Sequence, residues 1–83
     1  MEEALRCGLL LMRILIDHGC EPGNDYSDRD AQTWYDEAGL SDEEHEHGLM
    51  FARDKEWIVF SKERLGVFQV TQAGFEAATA GRS

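Results

Sequence analysis

Apart from Arg13, every residue from Gly8 to Ile16 is apolar or glycine, and this in a chain of 83 residues. The run falls short of the roughly 20 residues a membrane-spanning helix needs. It sits inside a helix candidate, Glu2 to Asp17, with acids at the start, where the helix dipole favours them, and His18 then Gly19 at the end. Leu5, Leu9, Met12 and Ile16 follow helical spacing, and Leu10, Leu11, Ile14 and Leu15 widen the stripe beyond one face. Such a helix must be covered on several sides. The expectation is a central core helix wrapped by the rest of one small domain, with a homodimer seam along the same helix as the alternative.

A chain of this length supports one core and no second domain. Two Trp, two Tyr and four Phe supply enough apolar surface for it to fold. The expected domain spans residues 1–83, with 81–83 as a frayed tail. Met1, Glu2 and Glu3 do not make the basic opening of a secretory signal, so a cytoplasmic location is expected. The two thiols, Cys7 and Cys20, lie about 20 Å apart along a continuous helix, too far for an internal disulfide. Buried free thiols are expected, with an intermolecular Cys20 bridge as the lesser alternative.

Turn and capping chemistry divides the remainder. Pro22, Gly23, Asn24 and Asp25 predict a loop over Glu21 to Tyr26. Ser27 with Asp30 resembles a capping box opening a second helix, Asp28 to Ala38, in which Ala31, Trp34, Tyr35 and Ala38 keep helical spacing. Gly39 can take the left-handed angle that ends it, Leu40 can turn inward, and Ser41 with Glu44 forms an SxxE box. A third helix then runs from Asp42 to about Lys55, with Leu49 and Ala52 toward the core and Met50 or Phe51 at its flank. Trp57 to Phe60 and Val67 to Val70 predict a two-stranded hairpin with a polar tip, and Thr71 caps a last helix to about Ala80. The fold class is α+β, mainly helical. Trp34, Tyr35 and Trp57 are expected in the core, and Tyr26 in an exposed loop.

Ala38-Gly39-Leu40-Ser41 at the turn, Glu56-Trp57-Ile58 entering the hairpin and Val70-Thr71-Gln72-Ala73-Gly74 leaving it resemble pieces of the winged helix-turn-helix superfamily. The resemblance covers Ser27 to Ala80 in outline and implies a winged-helix-like domain of three helices, a two-stranded hairpin and a short C-terminal helix. It also implies that Asp42 to Lys55 occupies the recognition-helix position. There the chain departs from a DNA reader, because the helix opens with Asp42, Glu43, Glu44, His45, Glu46 and His47, and carboxylates beside phosphates repel. The bases Arg53, Lys55, Lys62 and Arg64 would serve the alternative, a dimeric DNA-binding regulator.

Charge decides between these readings. Glu21 to Glu46 holds ten carboxylates and one base, and the rest of the chain holds seven of each, so this segment carries the whole net charge of −9. An acidic face attracts basic protein surface and repels phosphate. Asp28, Asp36, Glu37, Asp42, Glu43, Glu44 and Glu46 are the expected contact residues for a protein with a basic nucleic-acid-binding surface. Small phage-encoded acidic proteins, including many anti-CRISPR inhibitors, are similar in size and charge. That similarity implies an inhibitor or nucleic-acid mimic. The competing explanation for the acids is helix starts favoured by their dipoles and kept for solubility.

No nucleophile elbow, phosphate-cradling glycine loop or CxxC pair marks an enzyme, and no cofactor is expected. His45 and His47 lie two apart on a helix and so point to different faces, against a metal site. Asn24, Asp25, Asp28 and Asp30 lack the glycine and closing glutamate of a calcium loop, since Arg29 and Tyr35 stand there.

Overall fold

A computed structural model describes residues 2–80. In chain order the elements are α1 (Glu2–Asp17), β1 (Asp25–Ser27), α2 (Asp28–Glu37), α3 (Asp42–Asp54), β2 (Ile58–Phe60), β3 (Val67–Val70) and α4 (Gln72–Thr79). The chain is therefore α+β with four helices and a small antiparallel sheet of order β1-β3-β2. The tail expected over 81–83 lies outside the described residues.

The sheet has three strands, where the sequence predicts two. Asp25 and Tyr26, expected as loop, and Ser27, expected as a helix cap, pair with β3 in the register Asp25 to Gln69, Tyr26 to Phe68 and Ser27 to Val67. With a single apolar residue, this strand has no alternation to read. It is held by tertiary contacts: the Glu21 N–H donates to the Tyr26 hydroxyl at 2.6 Å, and the Gln69 amide donates to Asp25 at 2.6 Å. Tyr26 is accordingly half-buried against Phe68 rather than exposed. On the other side, β2 pairs Ile58 with Val70, Val59 with Gln69 and Phe60 with Phe68. Tyr26, Phe68 and Phe60 thus form a row across one face, which the buried pair Ile58 and Val70 continues.

Helix α1 is the centre of the fold, packing against α2, α3 and α4. Its buried face runs through Cys7, Leu11, Met12, Ile14 and Leu15. The Leu5, Leu9 and Ile16 edge of the predicted stripe lies at the margin, with Leu5 43% exposed. Periodicity alone could not orient a helix that is apolar nearly all round. Glycines set its closest contacts. A methyl group built on Gly48 of α3 would lie 2.6 Å from the Cys7 carbonyl oxygen, and one built on Gly8 would lie 2.7 Å from the Phe51 ring. On α4, Gly74 fits equally tightly against Met12 and the Trp57 carbonyl. Tyr35 is buried and Trp34 and Trp57 are half-buried, with Trp34 stacked on His18 at 4.5 Å.

Helices α1, α2 and α3 end with the same device. The N–H groups of Cys20, Leu40 and Trp57 reach back to the carbonyls of Leu15, Tyr35 and Ala52, and those of Gly19, Gly39 and Glu56 to Ile16, Asp36 and Arg53. This double bond pattern closes a helix through a left-handed residue and folds the next side chain onto the core. Cys20, Leu40 and half-buried Trp57 are those side chains. Glycine supplies the left-handed angle at 19 and 39, but Glu56 adopts it at φ 58° with a side chain in the way. At the helix starts, Ser41 and Glu44 form the full capping box and the Thr71 hydroxyl accepts from the Gly74 N–H. Ser27 departs from expectation: it occupies the cap position of α2 without a side-chain bond, and Asp28 accepts from Gln32 instead.

Cys7 and Cys20 are both buried free thiols, and burial pushes the Cys20 thiol up to about 11. Neither is placed to bridge to another molecule. In the native protein both should resist a thiol-reactive disulfide reagent at pH 8 and react stoichiometrically once urea is added. Two substitutions test the backbone geometry by urea unfolding. Gly48→Ala is expected to lose about 1–3 kcal/mol through the forced separation of α1 and α3. Glu56→Gly is expected to gain about 1 kcal/mol by relieving the left-handed strain.

Candidate interaction face

The seven candidate carboxylates do not form one surface of equals. Asp28 opens α2 while Asp36 and Glu37 close it, so Asp28 stands about 12 Å along the axis from them. The turn through Ala38 to Ser41 is short enough to keep Asp36 and Glu37 beside the start of α3, where Asp42, Glu43 and Glu44 lie. Glu46 follows one turn further on. Asp36, Glu37, Asp42, Glu43 and Glu46 are exposed, and among the described residues none of them makes an ion pair.

Glu44 has a different role. Its carboxylate accepts from the Ser41 N–H at 3.0 Å while its own N–H donates to the Ser41 hydroxyl at 3.1 Å. It also meets Arg6 of α1 at 3.4 Å, a guanidinium that Glu3 holds from the other side. The bonds to Ser41, followed by Arg6, hold the Glu44 carboxyl below the ordinary carboxylate range. Glu44 thus starts α3 and ties it to α1, leaving the exposed acids around it free for contact.

The dipoles of the two helices act oppositely on the rest. Asp42 and Glu43 sit at a helix N-terminus, which favours negative charge. Asp36 and Glu37 occupy the last turn of α2, which contains no base, and there the dipole opposes them. Helix stability therefore accounts for the first pair and not for the second.

His45 and His47 face opposite ways, as their spacing requires. The His45 ring lies 4.9 Å from Tyr35 with Nε2 buried and without a hydrogen-bond partner, while His47 is exposed. Among the described residues no three His, Cys, Asp or Glu side chains converge as metal ligands. The bases are largely engaged within the molecule: Arg53 lies 5.0 Å over the Phe60 ring, Lys55 lies 5.6 Å over Phe51, and Arg64 pairs with Asp25 at 3.4 Å.

One feature of this region had no signal in the sequence. Met50 is 63% exposed on the outer face of α3, beside a shallow trough of about 290 Å³ lined by Ala4, His47, Met50, Phe51 and Asp54. Helical spacing assigns Met50 to a flank; the trough is formed where Ala4 of α1 comes beside His47, Met50, Phe51 and Asp54 of α3.

No family model matches the chain, and no curated protein or solved structure is significantly similar to it.

The double role of Glu44 has a measurable pH signature. Its folded-state pKa is depressed, so its contribution is complete above the ordinary value of 4.5 and disappears as pH falls through the lowered one. Gln preserves the cap and removes the charge. The thermal midpoint of Glu44→Gln should therefore lie below wild type at pH 7, with the gap closing under acid conditions. Ser41→Ala, which removes the cap itself, should cost about 1 kcal/mol.

Proposed function

We propose that this chain is a non-enzymatic, winged-helix-like protein-interaction domain of the cytoplasm, whose acidic face binds the basic surface of a nucleic-acid-handling protein as an inhibitor or nucleic-acid mimic. The element order α1-β1-α2-α3-β2-β3 and the tight turn between α2 and α3 support the winged-helix-like reading. No helix among the described residues is long and apolar enough to cross a membrane.

The observation that carries the functional reading is the placement of Asp36 and Glu37. They are exposed, without an ion pair among the described residues, set against the dipole of their own helix, and adjacent to Asp42, Glu43 and Glu46 across a short turn. Asp36 and Glu37 close α2, and Asp42, Glu43 and Glu46 lie in the first two turns of α3 after the short Ala38 to Ser41 connection, a concentration of like charge suited to a basic partner. Asp28, at the far end of α2, stands apart from this group, and Glu44 is engaged with Ser41 and Arg6. A face of this kind steers encounter electrostatically and loses affinity as salt rises.

The same α3 start repels phosphate, which weighs against DNA reading by this helix. The competing use of the fold, a dimeric regulator, would rely on Lys62 and Arg64 at the hairpin tip, next to the fully exposed Leu65, and on Arg53 and Lys55 at the end of α3.

The test is retention of host-lysate proteins on the immobilised chain, wild type against the Glu43→Lys/Glu46→Lys double variant. Glu44 is left intact so that α3 still forms. A basic nucleic-acid-handling protein held by wild type, released between about 0.1 and 0.5 M salt, and lost from the variant is the expected result. Retention indifferent to the double reversal removes the acidic face from the mechanism, and selective capture of duplex DNA transfers the function to the regulator reading.

A further inference from the structure

The trough beside Met50 lies on the same exposed strip of α3 as the acids. Glu43 and Glu46 precede Met50 by two turns and one turn, and Asp54 follows it by one, so carboxylates flank an apolar floor of Ala4, Met50 and Phe51. At about 290 Å³ it is at the small end of ligand sites and has room for a single large side chain. The thioether of Met50, 63% exposed, together with the half-buried Phe51 ring, favours an aromatic group, and Asp54 in the lining, with Glu46 one turn before Met50, favours a basic residue beside it.

Resting on the protein-binding reading above, we propose that this trough is the anchor site of the acidic face: it takes one aromatic side chain of the basic partner, while Glu43, Glu46 and Asp54 engage the lysines or arginines beside it. Charge then brings the partner in, and the trough supplies the desolvated contact that gives an interface most of its affinity. An exposed Met at the centre of an otherwise charged helix face has its occupant in that arrangement.

The experiment is an amide NMR titration of the whole chain with three small probes: tryptamine, which joins an indole to an ammonium; butylamine, which has the ammonium without the ring; and N-acetyltryptamine, which has the ring without the charge. Tryptamine should shift the amides of His47, Met50, Phe51 and Asp54 saturably, with a dissociation constant on the order of 1 mM. Butylamine and N-acetyltryptamine should each bind at least about fivefold more weakly, since each lacks one of the two contacts. Met50→Gln, at a position too exposed to disturb folding, should weaken tryptamine at least about threefold. Equal, unsaturated shifts from tryptamine and butylamine spread over the acidic residues would overturn the anchor and leave the acidic face standing. Saturable binding elsewhere, or no shift at the four trough residues, would also overturn it. Failure of the acidic-face reading appears separately, as lysate retention unchanged by the Glu43→Lys/Glu46→Lys reversal.

Discussion

Everything in this domain is arranged around the close approach of α1 and α3. Gly48 lets the backbone of α3 lie against the Cys7 carbonyl, and Gly8 receives the Phe51 ring from the other side. That contact places α1 deep enough for α2 and α4 to close over its remaining faces, with Gly74 providing the corresponding fit to Met12. A small chain has few side chains with which to fill a core, so bringing backbones together leaves less space to be filled. The trough at Met50 lies between the same two helices, with Ala4 of α1 facing His47, Met50, Phe51 and Asp54 of α3.

The acids divide by what the backbone requires of them. Glu44 is committed to the Ser41 cap and to Arg6, so charge at that position is part of how α3 begins and how it is held to α1. Asp42 and Glu43 gain from the dipole at the same helix start, and Asp36 and Glu37 oppose the dipole at the end of α2. The bases are treated in the reverse manner. Arg53 and Lys55 lie over aromatic rings and Arg64 pairs with Asp25, so these three bases have partners within the molecule.

Legibility in the sequence followed how local each determinant is. Gly39, Leu40, Ser41 and Glu44 act within a few residues of one another, and the turn, the inward Leu40 and the capping box all occur as their spacing predicts. Gly19 and Thr71 are comparable cases. The strand Asp25–Ser27 had no such signal, since it depends on Phe68 and Gln69, more than forty residues away. The Arg6–Glu44 pair spans thirty-eight positions and was equally hidden, although it separates Glu44 from its exposed neighbours. At Ser27 the reverse occurred: a plausible local box did not form, and the Asp28 N–H is taken by the Gly66 carbonyl of the hairpin at 2.7 Å.

The order of helices and turns, the burial of α1 and the concentration of charge between Glu21 and Glu46 are written in the linear chain, because capping bonds, glycine angles and helical periodicity act over one or two turns. The third strand, the facing of α1, the division of the acids into supporting and exposed groups, and the trough at Met50 came from packing. Each depends on which distant backbone or side chain arrives alongside: β3 beside Asp25 to Ser27, and α3 beside Cys7 and Gly8 of α1.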